Sequence, residues 1–259
     1  MLLDPILAVT RTRVAALHQK AADVERQAAK AQPPPPFPAR GPTVGIIAEI
    51  KRRSPSQGDI RPDLDPRAHA VQYARGGAVA ISVLTDEVHF GGSITDLADV
   101  SRAVRLPTLR KDFIIDELQL LEAVAAGASA ILLIARILDS QQLMALARAA
   151  HELGLGTLVE VHVERELEAA LAATPTAIGV NARDLDTFKI DRPAAERLIA
   201  RVPAAVLTVA ESGLERREDI ERVATAGADL ALVGTSVARQ DDPENAVRAL
   251  TGVMRHSRA

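Results

Sequence analysis

The chain has no cysteine and no tryptophan, and aromatics as a whole are scarce: one tyrosine and four phenylalanines in 259 residues. Without cysteine there is no disulfide, no thiolate metal ligand and no thiol nucleophile. Lysine is nearly as rare, with five (positions 20, 30, 51, 111 and 189) against twenty-six arginines. Arginine stays charged at any working pH, whereas a lysine pKa can be tuned, so the few lysines are candidates for proton transfer. A strong charge of one sign is also missing. The net charge of −3 gives no basic footprint for nucleic acid or for acidic lipid. No apolar run approaches the roughly 18 residues of a membrane span. The opening stretch LLDPILAVTRTRVAALHQKAADVERQ carries charges throughout and does not read as a signal peptide. The expected setting is a cytoplasmic monomer with no nucleic-acid or membrane partner.

What is present is an apolar fraction of 47%, enough for a large core, in a length that suits an α/β barrel. Helical periodicity runs over residues 2–31, and Pro33 to Pro36 then enforce a stiff spacer. Residues 1–40 are therefore expected as an N-terminal helical extension packed on a catalytic domain of residues 41–259. In that domain apolar runs alternate with helical patterns. Strands are predicted at 44–50, 79–84, 107–110, 129–135, 156–161, 176–180, 205–210 and 228–233, with helices between them such as 116–126, 139–153, 163–173, 191–201 and 215–226. ARGGAVAISVL, AAGASAILLI and TAGADLALV repeat one pattern of helix end, Gly-Ala turn and strand. Their glycines, Gly77, Gly127 and Gly227, fit units of about 25 residues, which points to a closed (β/α)8 TIM barrel rather than an open sheet.

In such a barrel the chemistry sits where the strands end. The first strand, GIIAEI, carries Glu49 inside an apolar run and exits through Lys51, Arg52, Arg53 and Ser54. A charge is rarely buried without a partner, so Glu49 needs one. Other strand exits present Phe90, Lys111, Phe113, Glu160, Asn181, Arg183, Glu211 and Ser212. After the seventh and eighth strands, AESGLERRED and LVGTSVA place Gly213, Gly234 and Thr235, the usual position of a barrel phosphate site. The six histidines are scattered. Glu160 and His162 stand together in VEVH, but two strand residues do not make a coordination sphere, and no metal site is expected. GxGxxG after a strand, the P-loop and the GxSxG elbow are all missing.

IAEIKRRSPSQGDI, SVLTDEVHFGGS, LPTLRKDFIID, GASAILLIA, LVEVH, IGVNARDL and VAESGL, in that order, closely resemble the indole-3-glycerol-phosphate synthase family of tryptophan biosynthesis. The resemblance implies a carboxy-lyase without cofactor. Its substrate would be 1-(2-carboxyphenylamino)-1-deoxyribulose 5-phosphate, whose pyrrole ring closes with loss of carbon dioxide and water. It makes Lys111 the general acid at the ketone oxygen and Glu160 the acid/base of dehydration. Lys51 would contact substrate and assist proton transfer, with Glu49, Asn181, Glu211 and Ser212 completing the polar set. Arg183 would orient the lysines or the substrate carboxylate, Phe90 and Phe113 would line the ring pocket, and Ser54, Gly213, Gly234 and Thr235 would hold phosphate. On this reading Glu49 pairs with the cationic cluster and keeps the lysines from repelling one another.

Two departures from the family pattern stand out: Ala182, where a second Asn is usual, and His89, where an aromatic precedes Phe90. Two other readings compete. One is another phosphate-binding sugar-phosphate barrel, of which phosphoribosylanthranilate isomerase is disfavoured because that family relies on a cysteine. The other is a non-catalytic or redesigned barrel, against which Lys51, Lys111 and Glu160 all stand intact.

Overall fold

The computed structural model describes residues 3–258; residues 1, 2 and 259, at the ends of the two expected segments, lie outside that range. Eight parallel strands form the core: β1 (Gly45–Ile50), β2 (Ala80–Leu84), β3 (Thr108–Lys111), β4 (Ala130–Ile134), β5 (Gly156–Val161), β6 (Ala177–Asn181), β7 (Leu207–Glu211) and β8 (Leu230–Val233). They close into a barrel in which β1 pairs with both β2 and β8, the latter in the register Gly45 to Leu230 through Ala48 to Val233. These strands read as continuous apolar runs because both faces are buried. Period-two alternation divides them: Ile46, Ala48 and Ile50 join the outer cluster under the helices, while Ile47 joins the inner one with Leu109, Leu132, Leu158, Val209 and Leu232. One inward step further toward the strand ends come Glu49, Lys111, Ile134, Glu160, Glu211 and Gly234. The polar residues of the strands thus form one layer on an apolar floor.

Two helices precede the barrel, α1 (Leu3–His18) and α2 (Ala21–Ala28). Around it run α3 (Pro66–Arg75), α4 (Glu87–Phe90), α5 (Ile94–Ala103), α6 (Glu117–Ala125) and α7 (Ser140–Glu152). They are followed by α8 (Glu164–Ala172), α9 (Arg192–Ile199), α10 (Arg217–Ala226), α11 (Thr235–Ala238) and α12 (Pro243–Arg248). Aspartate or serine caps set the starts of many of them, with Asp65, Ser93, Asp116, Asp139, Asp191 and Asp242 accepting N–H groups of the first turn. The repeated glycines have a backbone reason. Gly77, Gly127 and Gly227 sit at φ 94°, 81° and 99°, the left-handed region that turns each chain from helix to strand. Among the described residues no helix is long and apolar enough to cross a membrane.

The extension is not the single helix that its periodicity predicts. It breaks at Gln19 and Lys20, which turns the chain so that both helices pack on α6. Leu3 and Ile6 of α1 are buried in the inner cluster with Phe113, and Arg13 donates to the Thr85 carbonyl at 3.1 Å and to buried Asp112 at 2.7 Å. The proline spacer, without regular structure, then carries Phe37 to the start of β5 beside Gly156.

Arg40, at the spacer's end, reaches Asp229 just before β8, with Nε 2.7 Å from Oδ1. From the other end of the chain Arg255 and Arg258 approach the same fully buried carboxylate at 3.3 and 3.2 Å, and the Thr208 N–H donates to it at 3.0 Å. Removing one member of a buried ion cluster leaves uncompensated charge behind. Asp229→Asn keeps an acceptor for Thr208 but deletes the charge that three guanidiniums share. The free energy of unfolding in urea is expected to fall by about 3 kcal/mol; an unchanged value would show that the cluster holds nothing together.

Candidate active site

All fourteen residues singled out in the sequence line one cavity at the C-terminal mouth of the barrel. Lys111, at the end of β3, lies at its centre. Its Nζ is 2.9 Å from Glu160 Oε2 on β5 and 3.4 Å from Glu211 Oε2 on β7. Glu49 on β1 accepts from Ser82 Oγ at 3.3 Å and pairs with Lys51 Nζ at 3.5 Å. The crowding after β1 therefore resolves differently from the expected cluster, because successive residues leaving a strand point in different directions. Lys51 alone turns into the cavity. Arg52 forks onto Asp96 of α5 at 2.6 and 3.1 Å, and Arg53 donates to the Glu87 and Val88 carbonyls of α4. Glu49 holds one lysine directly; Lys111 is held by Glu160 and Glu211.

The electrostatics follow from that packing. Burial works against the Lys111 ammonium, but Glu160, Glu211 and Glu49 outweigh it and raise its pKa. This lysine is tuned toward holding its proton, not toward losing it. Burial opposes the Glu160 carboxylate too, yet Lys111, His162 and a hydrogen bond from Asn181 bring its pKa down to about 2. Glu211 moves the other way. Burial, and then the neighbouring Glu160 and Glu49 charges, push it well above the usual carboxylate range despite Lys111. Two adjacent carboxyls are thereby driven apart, Glu160 toward its ionised form and Glu211 toward its protonated one, the arrangement that separates acid and base roles.

Two glycines make room for this layer. A Cβ on Gly179, inside β6, would stand 2.1 Å from Glu211 Oε1, and one on Gly234 would stand 2.5 Å from Glu49 Oε1. Gly234 thus has a packing duty beside the phosphate contact expected of it. The loop after β7 is bent by Ser212 and Gly213, both left-handed at φ 65° and 72°. A non-glycine residue there is strained, a feature that collects at functional sites. Ser236 Oγ donates to the Leu214 carbonyl at 3.1 Å and ties this loop to the one carrying Gly234 and Thr235. Across the mouth, Ser54 Oγ lies 3.4 Å from Ser56 Oγ.

On the other side of Lys51 the wall is apolar. Lys51 Nζ sits 5.7 Å from the Phe90 ring centroid, and Phe90 and Phe113 are 6.4 Å apart. Phe188 lines the cavity as well, so three of the four phenylalanines meet there. Arg183 gives Nη1 to the Phe188 carbonyl at 3.1 Å and makes no ion pair among the described residues, and burial lowers its pKa. Its backbone N–H is accepted by Asn181 Oδ1 at 3.0 Å.

Sequence reasoning missed Asp86 and Asp112, which also line the cavity, and Ser82 behind Glu49. Alternation along β2 would have put Ser82 on the inward face. The departures fall outside the cavity lining: Ala182 packs in the outer cluster, and His89 faces Asp86 at 3.3 Å. Among the described residues no three His, Asp or Glu side chains are arranged to hold a metal ion.

Similarity to known proteins adds to the geometry. The family model for indole-3-glycerol phosphate synthase matches residues 3–250. Indole-3-glycerol phosphate synthase of Mycobacterium ulcerans is 43% identical over 258 residues, covering 98% of this chain and 95% of the relative. That of Nocardioides sp. is 46% identical over 257 residues, 97% and 98% of the two chains. Among solved structures, 3-hexulose-6-phosphate synthase from Salmonella typhimurium superposes with a TM-score of 0.61 at 15% identity, over 80% of this chain and 96% of that one. A likeness that distant speaks for the barrel alone, whereas the sequence relatives span nearly the whole chain. The chain belongs to the indole-3-glycerol phosphate synthase family.

Proposed function

We propose that this cavity closes the indole ring of 1-(2-carboxyphenylamino)-1-deoxyribulose 5-phosphate, releasing carbon dioxide and water to give indole-3-glycerol phosphate. The observation that carries the assignment of roles is the Lys111 ammonium, 2.9 Å from Glu160 at the centre of the polar layer. As the aromatic carbon attacks the ketone, negative charge grows on the ketone oxygen. An ammonium aimed there stabilises that charge and delivers a proton. Its raised pKa is compatible with this work, because an incipient alkoxide is a stronger base than an amine. Arg183, without an acidic partner among the described residues, suits the substrate carboxylate. Phe90 and Phe113 suit the anthranilate ring, with Lys51 between ring and carboxylate layer. Ser54, Gly213, Gly234 and Thr235 offer hydroxyl and backbone N–H donors for the phosphate. Carbon dioxide leaves once the attacked carbon is tetrahedral. Glu160 then takes the carbon proton that restores aromaticity, from a position beside a cationic nitrogen where the carbon acid is strong enough for a carboxylate. Glu49, Asn181, Glu211 and Ser212 hold the two lysines and Glu160 in place.

Three measurements test these roles. Lys111→Ala should still fold, less stably because its carboxyl partners lose their cation, and bind phosphate nearly as the parent does while kcat falls by at least ~10²-fold; near-normal turnover would move the acid elsewhere, first to Lys51. Inorganic phosphate should inhibit competitively, and a dephosphorylated substrate that binds as tightly as the parent would refute the phosphate cradle. Glu160→Gln keeps the shape and removes the base. In a single turnover with excess enzyme, carbon dioxide release should outpace indole fluorescence, with indole formation slowed on the order of 10²-fold. If both slow together, Glu160 acts at or before ring closure.

A further inference from the structure

His162 does not line the cavity, yet it stands directly behind Glu160. Its ring is 3% exposed, and neither nitrogen makes a hydrogen bond in this geometry. Each nitrogen instead faces a carboxylate: Nε2 lies 3.4 Å from Glu160 Oε1 and Nδ1 lies 3.6 Å from Glu166 Oε2. Glu166, near the start of α8, accepts the His162 backbone N–H at 2.7 Å and so fixes the ring's own peptide. Beyond it Arg136 approaches Glu166 at 3.5 Å and reaches half-exposed Asp184 and Asp186 at 3.2 and 3.6 Å. On the cavity side Glu160 meets Lys111 at 2.9 Å, with Glu211 next to it. A line of proton-carrying groups thus runs from Lys111 through Glu160 and His162 to Glu166 in the barrel wall, whose side chain is 9% exposed, while Arg136 stays charged and holds Glu166 in place.

The proposed reaction gives that line a use. The ketone oxygen takes one proton as it becomes a hydroxyl and a second as it leaves as water. One proton returns from carbon to Glu160. The balance is one proton drawn from solvent in each turnover, because the substrate carboxylate departs as neutral carbon dioxide. Both oxygen-bound protons are needed at the same atom, next to the same ammonium, while the ring system fills the mouth.

We propose that His162 is a positioning residue that reloads Lys111 through the wall within a turnover. Glu166 takes a proton from solvent at its exposed edge and gives it from Oε2 to His162 Nδ1, while His162 Nε2–H passes its own to Glu160 Oε1. The Glu160 carboxyl then turns so that the proton gained on Oε1 faces Lys111, and this O–H bond breaks as the N–H bond of the neutral amine forms. Each step breaks one bond to hydrogen and forms another, and no group is oxidised or reduced. The path rests on Lys111 and Glu160 having the roles given above, and those roles have their own variants.

The test is His162→Gln, which fills the space but cannot relay a proton. Glu166→Gln accompanies it, since it retains the backbone acceptor at the helix start. In single turnovers KM-dependent binding and carbon dioxide release should stay within twofold of the parent. Indole formation should slow at least ~10-fold in either variant, more steeply as pH rises, and the double variant should be no slower than the worse single one. A merely structural ring would change binding and carbon dioxide release as well, and that result overturns the relay. So does indole formation at the parent rate in both variants, or losses that multiply in the double. Failure of Glu160→Gln to separate carbon dioxide from indole would instead indict the base itself.

Discussion

The pairing of the Lys111 ammonium with Glu160 and Glu211 is what the rest of the barrel mouth is arranged around. It puts one cation between carboxyls from β5 and β7, neither of which neighbours β3, and so spans the barrel's interior. With Glu49 and Lys51 the layer holds three carboxyls against two ammonium groups. The excess is eased at Glu211, whose pKa burial and its acidic neighbours raise. Packing carries the same constraint. Only glycine leaves space for the Glu211 and Glu49 oxygens at positions 179 and 234, so two strands give up a side chain to seat a charge.

The floor beneath that layer and the extension beside it keep the ammonium in register. Leucine, isoleucine and valine from successive strands fill the interior below, which excludes water from one side of the charges. Asp112, next to Lys111 in sequence, is gripped by Arg110 at 3.1 Å and by Arg13 of α1 at 2.7 Å. Burial opposes that carboxylate, but the two guanidiniums win and lower its pKa. The N-terminal helix is thereby connected to the residue beside the central lysine through a single charged contact.

Much of this was legible before any coordinates. Strands buried on both faces read as unbroken apolar runs, so a Glu49 or Glu160 inside one stands out, and the strand exits name Lys111, Asn181 and Ser212. What stayed hidden depends on the opposite wall. Nothing near Gly179 in sequence says that Glu211 will arrive across from it, and nothing near Asp112 announces Arg13, 99 positions earlier. The rare lysines mark candidates for proton transfer, but the upward direction of the Lys111 shift is set by three carboxyls from other strands. VEVH shows His162 only as a neighbour of Glu160 in a pair too small for a metal site, since a sequence does not tell whether a ring faces water or a second acid.

The chain also enters and leaves the barrel side by side. Val44 N–H donates to the Val253 carbonyl at 2.9 Å, Thr43 bridges Met254, and Arg255 N–H reaches the Pro42 carbonyl at 3.1 Å. Each of these contacts closes a loop of roughly 200 residues, and so does the pairing of β1 with β8, among the most expensive closures in chain entropy that the molecule makes. That loss is incurred once. Whichever of the two forms first brings the other's partners within reach, so seam and closing strands gain stability together and open together. The barrel is fastened by a single cooperative buckle whose two halves come from opposite ends of the polypeptide.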